Sequence, residues 1–177
     1  MKKTLMALGM MAALTAGGPA LAADGTYASA SPYFGAQLGI ADVDGFDEGL
    51  MVAGTLGLPA DQLVPNLAFE AELGMSLVDP ERDVVGGTVE ISYWYLAGFG
   101  VYNVPLNGDF KLRGKLGMGY LDAEADGPGG SASDSDLELM YGVGLSIPLR
   151  GDLRGLVEYT HVESDLGQLS AGVQFNF

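Results

Sequence analysis

In four blocks between residues 67 and 149 the chain alternates apolar and polar side chains with period two, and no apolar face carries a charge. Period two puts successive side chains on opposite sides of a β-strand, whereas a helix would need a period near 3.6. In the first block Leu67, Phe69, Ala71, Leu73, Met75 and Leu77 oppose Ala68, Glu70, Glu72, Gly74 and Ser76. In the third, Phe110, Leu112, Leu116, Met118 and Tyr120 oppose Lys111, Arg113, Lys115, Gly117 and Gly119. The fourth sets Leu137, Leu139, Tyr141, Val143, Leu145, Ile147 and Leu149 against Glu138, Met140, Gly142, Gly144 and Ser146. In the second, Val89, Ile91, Tyr93, Tyr95, Ala97, Phe99 and Val101 oppose Glu90, Ser92, Trp94, Leu96, Gly98 and Gly100, and the first set is expected to point out.

Extending the pattern gives eight segments of about the length of a transmembrane strand, at residues 32–41, 49–58, 67–77, 88–102, 110–121, 137–149, 153–162 and 168–177. Turn-forming residues separate them: Pro59, Pro65-Asn66, Asn107-Gly108-Asp109 and Arg150-Gly151-Asp152. Twenty-eight glycines fit an all-β chain. No cysteine is present, which excludes disulfides and thiolate metal sites.

Two-faced strands also build soluble barrels with an apolar interior. The polar faces here are crowded with Gly, Ala and Ser, which suit the narrow inside of an eight-stranded barrel. Their charges nearly balance: Lys111, Arg113, Lys115 and Arg154 against Glu70, Glu72, Glu90, Glu138 and Glu158. Buried charges must pair or lose several kcal/mol to desolvation, so near-balance marks a closed polar interior. The expected fold is all-β, an eight-stranded antiparallel up-and-down transmembrane β-barrel. Aromatic residues then form two bands. Phe34, Phe69, Phe99, Phe110, Phe175 and Phe177 lie toward the ends that carry the termini, and Tyr93, Tyr95, Tyr120, Tyr141 and Tyr159 toward the opposite ends.

The N-terminus reads as a secretory leader. Lys2 and Lys3 precede an apolar run at residues 4–16, and Ala20-Leu21-Ala22 supplies small residues at the −3 and −1 positions. The run is too short for a bilayer that needs about 20 helical residues. The expected organisation is a signal peptide at 1–22, a short periplasmic arm at 23–31 and the barrel at 32–177. The formal net charge is −15, and loss of Lys2 and Lys3 makes it more negative still. That is the wrong sign for nucleic acid, whose phosphates require a basic surface.

The last segment carries Ser170, Gly172, Phe175 and the terminal Phe177. This spacing resembles the C-terminal β-signal of outer-membrane proteins, and the resemblance implies recognition by the barrel-assembly machinery. From residue 32 to 177 the chain resembles the small outer-membrane barrels of the outer-membrane protein A membrane-domain and outer-membrane protein X type. The likeness implies residence in the outer membrane of a Gram-negative cell, among its lipids and lipopolysaccharide. The chain stops at the barrel, so no wall-tethering domain is expected.

Catalysis finds little support. His161 is the only histidine, in His161-Val162-Glu163-Ser164. Residues three apart in a strand face opposite sides, so His161 and Ser164 do not form the dyad of a lipid A deacylase. The connections away from the termini are acidic, and Asp122-Ala123-Glu124-Ala125-Asp126-Gly127 is similar to the start of a calcium loop. Its twelfth residue is Ser133 where a Glu is wanted. A solvated acidic crown is the simpler reading; weak divalent binding that bridges to lipopolysaccharide is the alternative. The expected function is non-enzymatic, with no cofactor: an integral surface protein serving envelope integrity or surface interaction, its surface ligand unspecified. A narrow pore for ions or small solutes and a lipid A-modifying enzyme are the runners-up.

Overall fold

The computed structural model describes residues 31–163 and 166–177. The strands are β1 (Tyr33–Val43), β2 (Gly49–Pro59), β3 (Leu67–Val78), β4 (Glu81–Val84), β5 (Gly87–Pro105), β6 (Lys111–Gly127), β7 (Gly130–Pro148), β8 (Leu153–Glu163) and β9 (Leu166–Asn176). All pairings are antiparallel; β1 pairs with β2 and β9, β2 with β3, and β5 to β9 pair each with the next. A direct β3–β5 ladder closes the ring, so eight long strands make a barrel and β4 stands at its rim.

Pro80 explains why the third strand breaks into two. A proline has no N–H to give to a ladder, and the chain bulges between Val78 and Glu81. Ser76 fills part of the gap: the Tyr93 amide donates to its Oγ at 3.2 Å, and that hydroxyl lies 2.5 Å from Asp79. The Ile91 amide donates to the Pro80 carbonyl at 2.9 Å. Beyond this joint β4 pairs with the far end of β5, from Glu81↔Glu90 to Val84↔Gly87.

Two expected boundaries move. β6 and β7 run on, paired, to Gly127↔Gly130, so the segment read as an acidic loop with calcium-loop character is a hairpin with a two-residue turn at Pro128-Gly129. Among the described residues no group of three Asp, Glu, His or Cys is arranged to hold a metal ion. β5, β6 and β7 are 19, 17 and 19 residues long, against about 9–11 needed to cross a bilayer. Together with β4 they raise a ribbon above the barrel on the rim opposite the termini.

The second correction concerns β5. Tyr93, Tyr95, Ala97, Phe99 and Val101 are buried inside the barrel, while Trp94, Leu96, Gly98 and Tyr102 face out. The faces are the reverse of those expected. Neither face holds a charge inside the barrel wall, and the only charge on the strand, Glu90, lies above it. Charge could therefore not choose between them. Lumen volume and hydroxyl chemistry did, because Tyr93 and Tyr95 find polar partners only inside. Phe99, Tyr93 and Tyr95 leave the outward aromatic bands. Trp94 joins one of them, its ring 5.7 Å from Tyr120.

Glycines make room for these rings. A Cβ on Gly57 would fall inside the Tyr33 ring, and one on Gly74 inside the Tyr95 ring. The lumen thus pairs absent side chains with large ones, as a narrow barrel requires. Toward the ribbon end it is apolar, with Met51, Tyr93, Leu121, Met140, Val162 and Leu166 packed together.

Candidate functional site

Below that apolar layer, charged side chains cross the lumen. β3 places Glu70 and Glu72 inward, β6 places Arg113 and Lys115, and β8 places Glu158; each is at most 4% exposed. Arg113 Nη2 is 2.7 Å from Glu70 Oε1, and its Nε is 3.3 Å from Glu158 Oε2. Lys115 Nζ is 3.0 Å from Glu72 Oε2 and 2.5 Å from Glu158 Oε1. In the ring order β3 and β8 lie opposite one another. Arg113 and Lys115 therefore tie opposite walls together through the middle of the barrel.

Three carboxylates face two cations, which leaves one negative charge over. Hydroxyl donors spread it. Tyr33 donates to Glu70, Tyr95 donates to Glu72 at 3.0 Å, and Thr55 donates to Glu72 at 3.3 Å. Gln168 lies 3.1 Å from the Tyr95 hydroxyl and donates to Tyr93 at 3.0 Å, while Arg113 reaches Gln174 at 3.5 Å. The Lys115 ammonium sits 4.5 Å from the centre of the Phe99 ring, a cation–π contact worth about 0.5–2 kcal/mol. Gly142 and Gly144 stand beside the Lys115 and Glu158 side chains, and a Cβ there would press on both.

Of the residues assigned to the interior, Glu70, Glu72, Arg113, Lys115 and Glu158 come together. Lys111 and Arg154 do not join them. They line a cavity of about 260 Å³ that opens at the terminal rim, with Asp61, Asp152 and Arg113. Arg154 donates there to Ser146 Oγ at 2.6 Å and to the Asp109 carbonyl at 2.7 Å. Glu138 lies on the inner face of β7 but high, partly exposed. Glu90 is not interior: it is exposed on the ribbon, opposite Asp126 and Glu81. The expectation failed because it carried the alternation of β5 past the barrel wall and on the wrong face. Tyr33, Thr55, Tyr95, Gln168 and Gln174 were missed. Glycines on neighbouring strands, Gly57 beside Tyr33 and Gly74 beside Tyr95, were the available signal for two of them.

The four residues of the terminal motif lie on or just past β9, which closes the ring against β1. Ser170 points in and donates to Gln37 at 2.7 Å, and a Cβ on Gly172 would run into Gln37 and the Ala36 carbonyl. Phe175 and Phe177 face out, and the Phe177 amide donates to the Pro32 carbonyl at 3.0 Å. His161 also faces out, its ring 4.8 Å from Tyr141. Ser164 lies outside the described residues.

This geometry braces the barrel from wall to wall. Known structures share the fold. Neisserial surface protein A superposes with a TM-score of 0.65 at 14% identity, covering 82% of this chain and 97% of that one. The N-terminal β-barrel domain of Pseudomonas aeruginosa OprF gives 0.60 at 13% identity, with 84% and 98% covered. Ail, the attachment invasion locus protein of Yersinia pestis, gives 0.51 at 19%, with 84% and 97% covered. No curated protein matches the chain. At these identities the likeness speaks for the fold, and the sequence itself supplies the family: residues 7–177 match the outer membrane protein beta-barrel domain, so the chain belongs to the outer-membrane β-barrel proteins.

Proposed function

We propose that this outer-membrane barrel is a non-enzymatic surface protein, whose working part is the rim away from the termini and whose lumen is structural. On this reading residues 1–22 are removed on export, residues 23–31 form a periplasmic arm, and residues 32–177 are the barrel. Ser170, Gly172, Phe175 and Phe177 serve recognition by the assembly machinery. The termini face the periplasm and the ribbon faces outward, the arrangement usual for barrels with an even number of strands. Lipopolysaccharide surrounds the wall.

The observation that carries the reading is the contrast along the barrel axis. The lumen is closed twice, by the charge network and by the apolar layer, while three strands extend far beyond what a membrane requires. A transport role would put the structure's investment in the lumen instead. Two of the similar structures are named as surface or attachment proteins, which fits an exposed rim.

The test is a strain in which residues 122–136 are replaced by a two-residue turn, compared with a full deletion for adhesion and envelope permeability. Loss of adhesion alone in the shortened strain is expected. If the shortened protein restores every deletion phenotype, the rim is dispensable and the reading fails.

A further inference from the structure

Positive charge is scarce in this chain, and one small volume takes a large share of it. The eight lysines and arginines include Lys2 and Lys3 near the start. Of the other six, Lys111, Arg113 and Arg154 line the cavity of about 260 Å³ at the terminal rim. The turns account for the placement. Lys111 begins β6 just after Asn107-Gly108-Asp109, and Arg154 is the second residue of β8, just after Arg150-Gly151-Asp152. β7 runs between these two strands and sets Ser146 between the two bases. Ser146 is the ladder partner of Lys111, and Arg154 Nε donates to its Oγ at 2.6 Å.

Arg113 is already committed to Glu70 and Glu158. The other two bases are not committed to any acid. Arg154 is held by neutral oxygens, Ser146 Oγ and the carbonyls of Ser146 and Asp109. These fix the guanidinium without cancelling its charge. Asp61 and Asp152 share the cavity, yet both are exposed. Among the described residues neither forms a salt bridge with Lys111 or Arg154. Asp61 instead accepts the Asn66 amide at 2.9 Å. Summation sharpens the point. Glu70, Glu72 and Glu158 face Arg113 and Lys115 in the network, and Lys111 and Arg154 make it four cations against three carboxylates. The surplus is positive, and it sits at the mouth beside the neutral amides of Asn66, Asn103 and Asn176.

We propose that this cavity is a binding site for a small oxyanion, a phosphate or carboxylate group, held by Lys111 and Arg154. Both side chains form short, charge-assisted hydrogen bonds to such oxygens, and a guanidinium can meet two of them at once. The cavity is smaller than the roughly 300–1,000 Å³ of drug-sized pockets, so the ligand is an ion or a small molecule. The site goes beyond the surface reading and does not rest on it.

The full chain is refolded in dodecyl maltoside micelles, which carry neither phosphate nor carboxylate, and titrated calorimetrically with inorganic phosphate at fixed ionic strength. Saturable one-to-one binding is expected. Lys111→Met should weaken it about tenfold, the effect of losing one charge-assisted hydrogen bond, and Lys111→Arg should retain it. Asp61→Asn with Asp152→Asn should tighten it, because the lip no longer repels the anion; this variant keeps both cations and reports even if Lys111→Met does not refold. Arg82→Met should bind as the parent does. Phosphate should also raise the urea midpoint of the parent more than that of Lys111→Met. Absence of saturable binding, or affinity unchanged by both Lys111→Met and the double lip variant, overturns the proposal. So does a phosphate-free midpoint for Lys111→Met as low as that of Arg113→Met, which would make Lys111 part of the brace. Repeating the titration in phosphatidylcholine nanodiscs separates two sources of the same chemistry. Retained affinity identifies a free ion as the occupant, and competition by the bilayer identifies a headgroup phosphate. Replacement of residues 122–136 should leave phosphate binding intact, so failure of the rim as a surface would not carry this site with it.

Discussion

Arg113 and Lys115 each answer two of the three carboxylates, and Arg113 is the one cation that reaches Glu70 among the described residues. Replacing it with Met leaves Lys115 alone against Glu70, Glu72 and Glu158. Breaking a buried pair of this kind costs about 3–5 kcal/mol where water is excluded. The urea midpoint of the refolded Arg113→Met barrel should fall well below that of Arg82→Met, whose side chain is exposed. Glu70→Gln is expected to be milder than Arg113→Met, because it removes the surplus negative charge and keeps an acceptor for Tyr33. The reverse order would mean that the carboxylates are held apart from the cations. Size matters at this scale as much as charge. Gly74→Val must push the Tyr95 ring off Glu72 and Gln168, so a loss of about 1–3 kcal/mol from overpacking is expected, read in the same unfolding curves.

Among the elements, β5 teaches the most. Its wall segment is apolar on both faces, so alternation located the strand and left its orientation open. The single tryptophan turns this into a measurement. Trp94 faces out beside Tyr120, and its fluorescence should be strongly quenched by lipids brominated on their acyl chains; weak quenching would return Trp94 to the lumen. Within the barrel wall β3, β6 and β7 carry charge on one face only, and those faces were legible. So were the turns at Asn66, Gly108 and Gly151, which adopt the positive φ that glycine and asparagine tolerate best. The ends of β6 and β7 were not legible, because Asp, Ser and Gly above the membrane look like a loop. Only the partner strand shows that they are paired. The network was legible as a set of charges but not as a geometry. Nothing in one strand's sequence says at what height Glu158 meets Lys115, since that depends on strand stagger around the whole ring.

For the whole molecule, the proposal of a structural lumen, crossed by five ionisable side chains and capped by packed Met, Leu and Tyr side chains, predicts no steady flow. Planar-bilayer recordings should show at most brief, small openings; stable nanosiemens-scale steps would promote the pore reading. Deleting Phe177 should lower the yield of heat-modifiable barrel while export continues, since its amide bonds Pro32 just past the closing ladder. That closure has a kinetic side. Ser170 bonds Gln37 across 133 residues of chain, so the last ladder joins segments far apart in sequence. Contacts of such separation form late, because the entropy of closing the intervening loop is lost before the contact rewards it. Until β9 meets β1 the sheet has two raw edges in a solvent that cannot satisfy them. A chain interrupted anywhere before β9 therefore gains no stable partial product. Its quality is judged once, at the moment the ring shuts.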